Sequence, residues 1–168
     1  HNALESFVAE LTSNGTQAHA LSIDLLTPNA GEIIENALKE RGLYCDVLVN
    51  NAGVGLVGLA IEIDRSEHMR LVDINLRALT ELTLRFLPGM VARGRGGVIN
   101  VSSIASYAAG PNMAVYNATK TYVRSFSSAL ASEVAGSGVS ITCLCPGMVR
   151  TAFFDQLSIK RTRLFKII

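Results

Sequence analysis

Tyr116 and Lys120 stand four residues apart in a stretch with helical periodicity, so their side chains share one face. A free phenol has a pKa of about 10 and exchanges protons poorly at neutral pH. A nearby ammonium favours the phenolate and lowers that value. Bringing it to about 7 takes roughly 3 units, or about 4 kcal/mol of differential stabilisation. One lysine in water does not supply that, but in a partly desolvated cleft beside a second positive group it does. The chemistry would be proton transfer at an oxygen. On spacing alone the pair better describes a surface helix bearing an aromatic and a cation, because Tyr-x-x-x-Lys is short.

Other reactive side chains read as structural. Cys143 and Cys145 lie two apart in an apolar run with no second ligand pair, so they are expected to be small core residues and not metal ligands; no metal is expected. His19 and His68 have no ligand-spaced partner. Glu62, Asp64 and Glu67 read as the start of a helix, with Asp64 and Glu67 as a capping box. Ser125, Ser127, Ser128 and Ser132 would allow close helix packing.

The elements that must position Tyr116 and Lys120 alternate along the chain. Leu4, Phe7, Val8 and Leu11 mark one face of a first helix, ended by Ser13-Asn14-Gly15. A strand is predicted over Ala18–Ile23, closing at Asp24. Thr27-Pro28 opens a helix to about Arg41. Asp46–Asn50 is the next strand, and its Val47-Leu48-Val49 run suits burial on both faces. A glycine-rich loop leads to a helix from Asp64 to about Ala92, broken or bent near Pro88-Gly89, with Leu71, Ile74, Ala78, Leu79, Leu82 and Phe86 as its apolar face. Val98–Val101 is a third strand. A helix from Met113 to about Ala135 is expected to bury Val115, Tyr122, Val123, Phe126, Ala129 and Leu130. Val139–Leu144 is the fourth strand. No repeat, linker or low-complexity segment interrupts this order.

Strand and helix alternation, with connections long enough for a helix, implies a parallel sheet with helices on its faces. Ligands in such folds bind beyond the carboxyl ends of the strands. Unusual polar and glycine residues fall there: Asp24, Asn50-Asn51-Ala52-Gly53, Ser102-Ser103 and Pro146-Gly147 each follow a strand. All four are expected on one rim.

Composition narrows the function classes. The 168 residues are 49% hydrophobic and 17% charged, which supports one domain with a packed core. Fifteen basic against fourteen acidic residues leave +1, so neither nucleic acid nor an anionic membrane is an expected partner. The longest uncharged stretch, Gly96–Thr119, is too interrupted by polar residues to span a bilayer, and no signal peptide is visible. Three cysteines, an odd number, point to a reducing, cytoplasmic setting.

Taken together, these segments resemble the short-chain dehydrogenase/reductase family. Asn50-Asn51-Ala52-Gly53 is similar to its Asn-Asn-Ala-Gly motif, and Val98–Ser103 to its serine strand. Tyr116–Lys120 is similar to its Tyr-x-x-x-Lys motif, and Pro146–Thr151 to its Pro-Gly-x-x-x-Thr segment. The resemblance covers residues 1 to about 155 and implies a doubly wound, Rossmann-like α/β fold. It implies hydride transfer between NAD or NADP and a carbonyl/alcohol pair. Tyr116 would be the general acid/base; Lys120 would lower its pKa and hold the nicotinamide ribose. Ser103, thirteen residues before Tyr116, would align the substrate oxygen, and Asn75 would support a water-linked proton path to Lys120. Asp24 and Leu25 would meet the adenine side, and Asn51, Ala52 and Gly53 would bring backbone to the cofactor. Pro146, Gly147, Met148, Val149 and Thr151 would face the nicotinamide. A homodimer or homotetramer through the two long helices is also implied.

The sequence departs from the family pattern at its start, where the first strand, the Gly-x-x-x-Gly-x-Gly loop and the second strand are missing. With the order 3-2-1-4-5-6, the strand at 18–23 would be the third and that at 46–50 the fourth, with two absent strands between them. The expectation is a partial dinucleotide-binding domain over 1–155 and a tail at 156–168, belonging to a longer protein. The competing reading is a non-catalytic binding or scaffold protein on this fold, or a piece that is inactive without its phosphate loop. Substrate identity and the choice between NAD and NADP are not encoded in these residues.

Overall fold

Three short runs rich in β-branched residues become the strands of the computed structural model, which describes residues 2–147. They are β1 (Val47–Asn50), β2 (Gly96–Val101) and β3 (Val139–Leu144). All pair in parallel in the order β1-β2-β3, with Leu48 opposite Val98 and Val98 opposite Ile141. Parallel neighbours need long crossovers. Between β1 and β2 the crossover is α3 (Arg65–Val72), a π-helical turn (Asp73–Ala78) and α4 (Leu79–Arg93); between β2 and β3 it is α5 (Ala114–Glu133). Ahead of the sheet lie α1 (Asn2–Ser13) and α2 (Ala30–Lys39). A 3-10 turn (Ile104–Tyr107) follows β2.

The core forms where α4 lies on the sheet. Leu82, Phe86 and Met90 recur at helical spacing and pack on Val98, with Leu25, Ile34, Leu38, Leu48 and Ile141 around them. Met90 and Val98 are fully buried. The chain reaches β3 through Gly138, held at φ +80°, where a side chain would run into the Gly94 carbonyl.

Residues 18–23 form no strand: the segment runs without ladder partners, and a strand exists only where a neighbour takes up its backbone groups. Nor is β1 buried on both faces: only the Leu48 side meets the core on α4, and Val47 is 60% and Val49 54% exposed on the other. The helix foreseen after Thr27-Pro28 starts at Ala30, behind Asn29 in a left-handed conformation. Asp64 makes no side-chain cap, so there is no capping box; its carbonyl receives the Glu67 N–H instead. Pro88 does not break α4, which continues to Arg93; the proline sits on the solvent face. Finally, α5 leaves Tyr122 and Ala129 exposed and buries polar residues, among them Asn117, Thr119, Lys120 and Ser127.

Candidate active site

The carboxyl ends of β1 and β2 converge with the π-helical turn and the first turns of α5. A π-helical turn inserts a residue into an α-helix and re-aims its side chains, often at functional sites. Here it carries Asn75, which is 1% exposed. Its Oδ1 accepts the Val54 N–H at 2.9 Å, and its Nδ2 donates to the Val54 carbonyl at 2.9 Å and to Thr119 Oγ1 at 3.2 Å. Thr119 Oγ1 donates to the Tyr116 carbonyl at 2.7 Å. One amide therefore clamps the loop after β1 onto the helix that carries Tyr116 and Lys120.

The two serines after β2 divide as alternating extended residues must. Ser102 turns inward and its Oγ donates to the Lys120 carbonyl at 2.8 Å. Ser103 turns the other way. Its Oγ accepts the Ala105 N–H at 3.1 Å, which caps the 3-10 turn, and is hydrogen-bonded to the Tyr116 hydroxyl. Tyr116 is 8% and Lys120 7% exposed. Lys120 Nζ donates to the Val101 carbonyl at 2.9 Å and lies 5.8 Å from the Tyr116 ring centre. Gly53 fits against the same pair: a Cβ there would stand 3.3 Å from Asn75 Oδ1 and 3.5 Å from Lys120 Nζ. Thus Gly53, Asn75, Ser103, Tyr116 and Lys120, brought from four segments, meet at one place.

Electrostatics depart from the expectation that Lys120 lowers the Tyr116 pKa. Burial raises the Tyr116 phenol above its ordinary value, opposed only by the Ser103 hydrogen bond. Burial also brings Lys120 down to about 8, against which the nearby Cys143 and Cys145 sulfurs favour its charge. A lysine whose own charge is disfavoured by burial, with Nζ turned to a backbone carbonyl, is a weak lever on the phenol.

The remaining residues divide. Past the strand ends, Leu144 O accepts from Ser102 N and Pro146 O from Ile104 N, at 2.7 and 3.1 Å, so Pro146 lies beside the start of the 3-10 turn. Among the described residues, nothing stands within 4 Å of where a Gly147 side chain would begin. Asn51 and Ala52 are exposed just beyond β1. Asp24 is held in its own turn, with Oδ1 accepting the Leu26 N–H at 2.9 Å, and Leu25 packs on the core. Met148, Val149 and Thr151 lie outside the described residues.

Sequence reasoning missed a buried polar relay beneath this site. Asn50 Nδ2 donates to Thr83 Oγ1 and to Asn100 Oδ1, and Asn100 Nδ2 donates to Ser127 Oγ, at 2.9, 2.8 and 3.0 Å. It ties α4, β1, β2 and α5 together. The available signal was two asparagines at matching strand positions, which become register partners.

Parallel strands joined by helical crossovers, with a polar group at their carboxyl ends, define a Rossmann-like α/β protein. The chain belongs to the short-chain dehydrogenase family, whose model matches residues 1–162. Serine 3-dehydrogenase of Agrobacterium fabrum is 34% identical over 151 residues, 89% of this chain and 59% of that protein. A bovine (Bos taurus) protein, dehydrogenase/reductase SDR family member 4, is 35% identical over 122 residues, 72% of this chain and 43% of that one. A short-chain dehydrogenase from Sphingobium yanoikuyae, solved with NADPH, superposes with a TM-score of 0.83 at 30% identity, covering 90% of this chain and 59% of that one. The chain spans about half the length of these relatives. Among the described residues, no helix is long and apolar enough to cross a membrane, and no three His, Cys, Asp or Glu side chains cluster as a metal site.

Proposed function

We propose that the protein containing this chain is an oxidoreductase that moves a hydride between a nicotinamide dinucleotide and a small carbonyl or alcohol, with Tyr116 as general acid/base. The observation that carries the reading is the convergence of Ser103, Tyr116 and Lys120 on one buried spot. Family membership supports the class of reaction, and NADPH in the Sphingobium yanoikuyae relative supports the class of cofactor.

The residues fit such a group. Lys120 is a buried three-donor cation with one donor on Val101 O, which leaves N–H vectors for sugar hydroxyls. Beside it, Gly53 presents no side chain, so the backbone after β1 admits close approach. Lys120, Gly53 and the exposed Asn51 and Ala52 would hold the nicotinamide ribose side. Pro146, Gly147, Val149 and Thr151 would border the ring, with Asp24 and Leu25 toward the adenine end. The bound dinucleotide supplies or accepts the hydride.

The chain's own residues handle the proton. Ser103 holds the substrate oxygen beside the Tyr116 hydroxyl, and Tyr116 donates its proton as that oxygen gains charge. With its pKa raised by burial, Tyr116 enters this step as the protonated phenol. In the reverse direction it takes the proton back, with Lys120 as the neighbouring cation that favours the phenolate. Asn75 keeps the Gly53 loop and α5 at fixed separation, so the two halves of the site stay aligned. The working setting is the cytoplasm, and α4 and α5 are the proposed surfaces of a homodimer or homotetramer.

The test is a screen of the protein that contains this chain, with NADH and NADPH, against a wide carbonyl panel, and with the oxidised cofactors against alcohols. Turnover with either cofactor is expected. Tight cofactor binding with no turnover on any substrate would overturn the enzymatic reading and leave a binding protein on the same fold.

A further inference from the structure

Behind Lys120 lies a pair of thiols that the proton chemistry does not use. Cys143 is in β3 and Cys145 one residue beyond its end, so alternate positions put both sulfurs on the same side. The Sγ atoms are 3.7 Å apart. Around them stand Ser106, whose Oγ is 4.0 Å from Cys145 Sγ, and the Tyr107 hydroxyl, bonded to Cys145. Both thiols are only partly buried. Two residues of extended chain separate the Cα atoms by about 6.6 Å. A disulfide accepts Cα separations of about 4.4–6.8 Å, and near the upper limit it is strained and easily reduced. Cys145 lies one residue past β3, between the Leu144 and Pro146 carbonyls that accept from Ser102 and Ile104, so the remaining gap closes by side-chain rotation into a strained ring.

We propose that Cys143 and Cys145 form a dithiol modification site that closes into an intramolecular disulfide by exchange with a low-molecular-weight disulfide of the glutathione class. The Cys145 thiolate attacks one sulfur of the small disulfide and expels a first thiolate, leaving a mixed disulfide on Cys145. The Cys143 thiolate then attacks Cys145 Sγ and expels the second. The protein loses two protons and two electrons, and the small disulfide becomes two thiols. The order follows the surroundings. Burial raises the Cys145 thiol, but bonds with Cys143, Tyr107, Ser106 and Ser102 more than offset it, and its pKa falls below the ordinary range. Cys143 is pushed up by burial and by its neighbour. Closure removes the sulfur charge that favours protonated Lys120. The proposal stands apart from the hydride-transfer reading, and its test needs no turnover.

The chain is equilibrated at slightly alkaline pH in buffers of graded glutathione to glutathione-disulfide ratio, quenched with acid, alkylated with N-ethylmaleimide and mapped by peptide mass. The Cys143–Cys145 peptide is expected two hydrogens lighter and unalkylated at ratios where Cys45 is still fully alkylated. In Cys143→Ser the second step is blocked, and a glutathione adduct that dithiothreitol removes is expected to accumulate on Cys145. A wild-type chain whose two thiols stay alkylated at every ratio, or carry glutathione without closing, would overturn the proposal.

Discussion

Lys120 is held where a charge is costly. Burial takes its pKa from 10.5 to about 8, so the unfolded chain binds this proton more tightly than the folded one. The penalty is fully present below about pH 8, shrinks as pH rises through 8, and is gone above the unfolded value, so folding stability climbs with pH across that window. Its size is roughly 3 kcal/mol. Lys120→Met keeps the stem and removes the charge, at the loss of one hydrogen bond to Val101 O. It is expected to stabilise the chain by about 1–2 kcal/mol at neutral pH and to flatten that pH dependence, read from urea denaturation across pH. A variant less stable than wild type at neutral pH would contradict the buried-charge reading. At this scale the helical spacing made Tyr116 and Lys120 legible in the sequence. Asn100 and Ser127 were not, because a polar residue inside an apolar run reads as an interruption until a partner such as Asn50 is seen across the sheet.

Elements are placed by backbone clamps as much as by apolar faces. The Asn75 amide satisfies both polar groups of Val54 and reaches Thr119. Asn75→Ala is expected to cost about 2–3 kcal/mol, because partly buried donors and acceptors lose their partners, and to show as a lower urea midpoint with unchanged slope. An unchanged midpoint would mean that the clamp is idle. From β1 onward the order of elements was legible from periodicity, and so were the limits of β3 and most of α5. The π-helical turn was not, since an insertion into a helix leaves the apolar spacing on either side nearly intact. The inward face of α5 was misjudged for a related reason. Seated over the strand ends, it turns Thr119, Lys120 and Ser127 to partners on β2, α3–α4 and the site, and leaves Tyr122 to stack on Phe126.

At the scale of the whole molecule, β1 is an edge of the sheet among the described residues, with Val47 and Val49 exposed on one face. An apolar, unpaired edge is a template for another strand. The 168-residue chain by itself is expected to associate with rising concentration, and Val49→Lys to suppress this, as sedimentation would report; a wild-type monomer at all concentrations would contradict it. The strand foreseen at 18–23 failed for a reason no local pattern contains: its apolar residues suit a strand, but a strand is a property of a pair. The rim fared better, because the polar clusters after β1, β2 and β3 follow from the parallel order itself.

Tyr116 is the group on which the proposed proton transfer depends, and it is tested most directly by Tyr116→Phe in the protein that contains this chain, with nicotinamide-dependent turnover and cofactor affinity measured together. Turnover is expected to fall by about 100- to 10,000-fold while cofactor binding and thermal stability hold. Turnover within a few fold of wild type would show that the proton travels by another group and would contradict the account.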